Sequence, residues 1–110
     1  MRTMITANNS RLDMTVRRFI DRQIQSGLSR FNGSIDLVIL RVGERSEPDD
    51  GIHRTCSVTV RLRCGCQTSA EGSSPSIFAA SAVAIDRAAA GLGREVRRHD
   101  TVDADVPLAV

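Results

Sequence analysis

Residues 55–64 read TCSVTVRLRC, the clearest alternation in the chain: Cys56, Val58, Val60, Leu62 and Cys64 fall on one side, and Thr55, Ser57, Thr59, Arg61 and Arg63 on the other. Successive side chains of a strand point to opposite sides of the pleat, so a period of two marks a strand with one dry face and one wet face. The sheet that holds this strand must therefore be covered on one side only. The flanking sequence must supply the cover.

Toward the N-terminus, GERSEPDDG (residues 43–51) is polar, contains Pro48 and Gly51, and is expected to be a solvated loop. Before it, SIDLVILRV (residues 34–42) is a short, β-branched apolar run that suits a central strand better than a helix. Further back, Leu12, Val16, Phe19, Ile20, Ile24, Leu28 and Phe31 recur three and four apart, as in an amphipathic helix. Asp13 is its expected N-cap and Asn32-Gly33 its stop. RTMITA (residues 2–7) reads as a first strand closed by Asn8-Asn9-Ser10.

Toward the C-terminus, Gly65 makes a tight connection to the weaker alternation Cys66, Thr68, Ala70, which completes a hairpin. AEGSSPS (residues 70–76) is expected to be a loop. With Ser76 as N-cap, Phe78, Ala82, Ile85, Ala89, Leu92 and Val96 then define a second amphipathic helix. Gly91 and Gly93 each cost about 1 kcal/mol relative to alanine in a helix interior, which predicts an irregular C-terminal half. Residues 100–110 have no periodic face and are expected to form a flexible, mildly acidic tail.

The order is thus β-α-β-β-β-α, an α+β two-layer sandwich with both helices on one face of a four-stranded sheet, similar in outline to double-stranded-RNA-binding modules. Leu12, Val16, Phe19, Phe78, Ile85, Leu92, Val58, Val60 and Leu62 are the expected core. With 110 residues, the chain suits one domain, residues 1–99, followed by the tail, 100–110. No apolar run approaches the roughly 20 residues of a membrane helix, and MRTMITANNS has no apolar signal core, so no membrane association and a cytoplasmic location are expected. Three cysteines without an export signal predict reduced thiols.

All 15 basic residues are arginine, and the net charge is +2. Three of the 13 acids, Asp100, Asp103 and Asp105, lie in the tail, so residues 1–99 set 15 arginines against 10 acids, or +5. Arginine grips phosphate bidentately, which makes a positive domain of this composition a candidate RNA binder. On the second helix, Arg87, Arg94 and Arg98 share a face away from the apolar stripe, with Arg97 beside them. On the first, Arg11, Arg18 and Arg22 share an edge, flanked by Arg17, with Arg30 near the end. The core of the expected RNA-binding set is Arg18, Arg22, Arg30, Arg87, Arg94, Arg97 and Arg98. Arg11, Arg17, Arg61 and Arg63 extend it, the last two from the wet strand face. Phe19, Phe31 and Phe78 are the sole aromatics, and Phe19 and Phe78 fall in apolar stripes, so phosphate contact and shape should dominate over base stacking.

Cys64-Gly65-Cys66 with Cys56 invites a metal or redox reading. A closed zinc site needs four ligands, His53 and His99 are isolated, and Cys56 and Cys64 fall on the buried strand face, so core thiols are expected and no metal or cofactor. No nucleophile, base and orienting group stand together, and no phosphate-cradling loop appears, so neither an enzyme nor a small-molecule substrate is expected. The alternative is a small cytoplasmic thiol or redox protein using Cys64 and Cys66, which requires an exposed thiolate. A generic double-stranded-RNA module is a third reading, although its basic loop and helix-start signature is missing.

Several strings resemble the hibernation-promoting factor and protein Y family of ribosome-associated translation inhibitors, also known as ribosomal subunit interface or sigma factor modulation proteins. MITANN (4–9) is similar to the family's first strand and turn, and VRRFIDRQIQSGLSRF (16–31) to its first helix. DDGIHRTCSVTVRLRCG (49–65) is similar to the connector and third strand, and IFAASAVAIDRAAAGLGREVRRH (77–99) to the last helix. The chain departs from the family pattern at Ser76, where an acid is usual, and at Ser81-Ala82, where Ile-Asp is usual. The resemblance covers residues 2–99 and is to the short form, without a dimerisation domain. It implies a stress-response protein, monomeric off the ribosome, that binds rRNA of the small ribosomal subunit in the messenger and transfer RNA channel and silences translation by occlusion.

Overall fold

The alternating strand is the third of four. The computed structural model describes the backbone of residues 1–7, 13–49 and 51–109, and their side chains except at 47 and 97–109. Strands β1 (Arg2–Ala7), β2 (Ile35–Glu47), β3 (Gly51–Leu62) and β4 (Gln67–Ser74) lie side by side in chain order. β1 is parallel to β2, and β3 is antiparallel to both of its neighbours, β2 and β4. A parallel pair cannot be joined by a tight turn. The crossover from β1 to β2 is made by α1 (Met14–Leu28) and the 3-10 turn Ser29–Ser34, and α2 (Ile77–Ala109) follows β4. The result is the β-α-β-β-β-α two-layer sandwich, with a mixed sheet.

On β3, Cys56, Val58, Val60 and Leu62 are buried, as the alternation requires. The β2–β3 register pairs Val42 with Cys56, Leu40 with Val58 and Val38 with Val60, so the apolar positions of both strands stack in rows on one face. Ile20, Ile24 and Leu28 of α1 and Ala80, Ala84, Ile85, Ala88 and Leu92 of α2 join them in one core. α2 lies on β3 and β4, and α1 packs against α2. The Asp13 carboxylate accepts from the Thr15 amide at 3.2 Å and caps α1.

Small residues set the layer spacing. A Cβ at Gly72 on β4 would stand 2.3 Å from the Ala80 carbonyl oxygen and 2.8 Å from the Ala84 nitrogen; one at Gly27 would stand 2.8 Å from Cγ2 of Ile85. Gly91, expected to disrupt α2, is buried against Thr68, whose Oγ1 lies 2.9 Å from where its Cβ would be. The helix is regular there because a tertiary contact outweighs a propensity loss of about 1 kcal/mol. Its backbone stays helical to Ala109, past the boundary expected at residue 99. Among the described residues, none beyond Leu92 joins the buried core.

Other expectations are corrected. β2 and β3 continue through most of residues 43–51, pairing Glu44 with Arg54, Arg45 with His53 and Ser46 with Ile52. Backbone pairing needs no apolar partner, so this hairpin outruns the covered part of the sheet, and Gly51 at φ +78° helps the chain reverse. β4 likewise runs on to Ser74, and Asn32-Gly33 lies in the 3-10 turn beyond the true end of α1. Phe78 is 41% exposed. The contact line of α2 is Ala80, Ala84 and Ala88, which leaves Phe78 on its flank, edge-on to the half-buried Phe19 at a centroid distance of 4.8 Å. Leu12 lies outside the described residues.

Ser81 is fully buried, and its hydroxyl donates to the Phe78 carbonyl at 3.0 Å. This satisfies a polar group that would otherwise be costly inside the sandwich.

Gly72→Ala is expected to destabilise the fold by about 1–3 kcal/mol or more, since the blocking atoms are backbone. Gly33→Ala, where the new methyl meets nothing within 4 Å, should stay within about 0.5 kcal/mol of the parent. Urea denaturation of the two variants checks the difference.

Candidate nucleic-acid interface

With both helices on one face of the sheet, their outer sides form one surface of the molecule and the bare sheet forms the other. On α1, Arg17, Arg18 and Arg22 are exposed. Arg17 and Arg18, with Met14 and Asp21, face Thr3 and Ile5 of the edge strand β1 across a groove of about 340 Å³. Arg30, in the 3-10 turn, holds its guanidinium 4.7 Å from the Phe31 ring centroid. This cation–π contact orients the planar fork while its edge stays available. Arg11 lies outside the described residues.

The row expected on α2 is divided. Arg94 is exposed, whereas Arg87 reaches across the β4 edge and donates from Nη1 to the Glu71 carbonyl at 2.8 Å. Edge strands present unpaired carbonyls, and Arg87 satisfies one of them. The side chains of Arg97 and Arg98 are outside the described set.

Arg61 is exposed on the bare sheet face, and Arg63 is exposed just past the end of β3, where its amide donates to the Ser34 carbonyl at 2.9 Å. Beside Arg61 stands Arg41, which sequence reasoning missed. The two flank the Ile39–Thr59 pair and, with Ser57 and Gln67, line a shallow basin of about 220 Å³. Its signal lay in Leu37, Ile39 and Arg41 alternating with the buried Val38, Leu40 and Val42. The remaining strand arginines are engaged: Arg2 with Asp36 at 3.4 Å, Arg54 with Glu44, and Arg45 with the Ser73 hydroxyl at 3.5 Å. Among the described residues, the exposed arginines outside these contacts lie on the helices, in the 3-10 turn, at the β3 end and in the basin.

The cysteines separate by environment. Cys56 is buried, and burial pushes its thiol up to about 12. Cys64, expected on the buried face, is exposed, and Cys66 is half-buried. The reason is that β3 ends at Leu62, so residues 63–65 form a turn in which strand alternation no longer dictates direction. Among the described residues no group of three or more His, Cys, Asp and Glu side chains is arranged to hold a metal ion. No helix among them is long and apolar enough to cross a membrane.

Comparison of the sequence with family models and with curated proteins finds no match. Solved structures do match. A ribosomal subunit interface protein from Coxiella burnetii superimposes with a TM-score of 0.66 at 11% identity, over 92% of this chain and 99% of its own. The N-terminal domain of protein Y from Thermus thermophilus superimposes with a TM-score of 0.61 at 17% identity, over 90% of this chain and 99% of its own. What the chain shares with them is the fold. That likeness runs almost end to end in both directions.

Cys56 yields a pH prediction. Its folded-state pKa lies above the ordinary value of 9.0, so the stability it contributes is fully present below about pH 9 and is lost as pH rises toward 12. Urea denaturation between pH 7 and 10.5 should show a steeper alkaline loss in the parent than in Cys56→Ala, and equal slopes would contradict the assignment.

Proposed function

We propose that this chain belongs to the hibernation-promoting factor and protein Y family and is a non-enzymatic inhibitor of translation that binds the small ribosomal subunit. The observation that carries this reading is the near end-to-end match to a ribosomal subunit interface protein and to a protein Y N-terminal domain. It agrees with the resemblance of residues 4–9, 16–31, 49–65 and 77–99 to the same family.

On this reading residues 1–99 are the binding domain and residues 100–110 an accessory tail. The protein works in the cytoplasm, as a monomer until it meets rRNA in the messenger and transfer RNA channel. Arg18, Arg22, Arg30, Arg94, Arg97 and Arg98 contact phosphates from the helix side. Arg87 joins them by releasing the Glu71 carbonyl, and Arg11, Arg17, Arg61 and Arg63 extend the footprint at its edges. Phe19 and Phe78 are turned toward each other, which favours phosphate contact and shape over base stacking. Occlusion then needs no chemistry: a bound domain excludes the RNAs whose place it takes.

Binding of this kind releases counterions, so affinity should fall steeply with salt, by a slope of roughly −0.7 to −0.9 per phosphate contact on logarithmic axes. Co-sedimentation with purified small subunits measures it, and a folded protein that stays in the supernatant at low ionic strength would rule the reading out.

The face is tested separately by Arg18, Arg22 and Arg94 changed together to Ala. Each exposed change should alter stability by no more than about 0.5 kcal/mol, while ribosome affinity should drop about tenfold or more, the equivalent of ~1.4 kcal/mol spread over three contacts. The control is Thr55, Ser57 and Thr59 to Ala on the bare sheet face. Equal losses from both sets would put the RNA on the other side of the molecule.

A further inference from the structure

The turn at Cys64-Gly65-Cys66 takes no part in the ribosome reading, yet it is built in a way that suits thiol chemistry. Neither cysteine is in a disulfide; Cys64 is exposed, and Cys66 is half-buried against the core behind it. The chain reverses between them. The Gly65 amide donates to the Leu62 carbonyl at 3.0 Å, and the Leu62 amide donates to the Cys66 carbonyl at 2.8 Å. Gly65 has φ +97°, with open space where a Cβ would be, so the reversal is made at a residue free to change its dihedrals. Two Cα atoms separated by one residue in a turn lie within about 7 Å, inside the span a disulfide can bridge.

We propose that Cys64 and Cys66 form a reversible dithiol–disulfide site whose oxidant is a low-molecular-weight disulfide of the glutathione class. The exposed Cys64 thiolate attacks one sulfur of the oxidant, forming a mixed disulfide and expelling one thiolate. Cys66, deprotonated in its turn, attacks Sγ of Cys64, closes the internal disulfide and expels the second thiolate. The two protons lost by the cysteines end on the two released thiols. Two electrons pass from the pair to the oxidant, one S–S bond is broken, and one is made. Closed across a single residue at an exposed turn, the bond belongs to the readily reduced class, so excess thiol reopens it by the reverse steps. The Arg63 amide ties this turn to the Ser34 carbonyl, so oxidation is felt in the 3-10 turn that carries Arg30.

Cys56 is the internal control. It is sealed in the core and should not react while the protein is folded.

The test uses the full chain, equilibrated with glutathione disulfide, quenched by alkylation and read by mass spectrometry. The expected product lacks two hydrogens on the peptide carrying Cys64 and Cys66, is unmodified at Cys56, and returns to the dithiol with excess reduced glutathione. Cys66→Ser should stall with glutathione on Cys64. Cys64→Ser should react about tenfold more slowly or less, because the remaining thiol is half-covered. Circular dichroism checks that both variants fold. A parent protein that keeps glutathione on Cys64 as stably as Cys66→Ser does, that links only to second copies, or that resists oxidation altogether would overturn the proposal.

Discussion

Where β4 meets the second helix, backbone touches backbone: Gly72 has no room for even a methyl group beneath Ala80 and Ala84. That contact fixes how close α2 lies to the sheet, and the rest of the sandwich follows from it. With α2 low on β3 and β4, Gly27 of α1 must accept Ile85, and Gly91 must accept Thr68. Close packing at native density tolerates few alternatives once such a spacing is set. Glycine is used here for thinness, which outweighs its conformational cost in a helix or strand.

The same geometry distributes the charge. Covering one sheet face with two helices leaves their outer sides and the bare sheet as the two broad surfaces, and arginine is the only side chain that brings permanent positive charge to either. Several arginines are spent on the fold's own edges: Arg87 on the carbonyl of Glu71, Arg54 on Glu44, Arg2 on Asp36. Those on α1 and Arg94 remain exposed to a partner, as do Arg41 and Arg61 in their basin. On the proposed reading, a phosphate-binding surface on the helix side would suit a protein that acts by filling space, because affinity would then depend on many exchangeable contacts rather than on a built pocket.

The architecture was largely legible because it rests on periodicity. Ile20, Ile24 and Leu28 repeat with the helix and Val58, Val60 and Leu62 with the strand, and both sets are buried. Element ends were less legible. Residues 43–47 pair through backbone groups that every sequence possesses, and no side-chain pattern announces that. Gly72 and Gly91 read as loop and helix-breaker because the atoms that demand them, on Ala80 and Thr68, are remote in sequence. Phe78 was misplaced for a related reason: a stripe defined by its large residues hid that the contact line is alanine. For the candidate interface, exposure of Arg18, Arg22 and Arg94 followed from helical phase. The engagement of Arg87 and the meeting of Arg41 and Arg61 at one basin depend on strand register, which sequence spacing alone does not supply.

The most direct measurement is a reconstruction of the small ribosomal subunit incubated with this protein at low ionic strength. Density for the β-α-β-β-β-α sandwich should appear in the messenger and transfer RNA channel, with the outer sides of α1 and α2 against rRNA phosphates and the bare sheet turned away. A channel left empty at saturating protein, or a domain seated through the Arg41–Arg61 face, would contradict it.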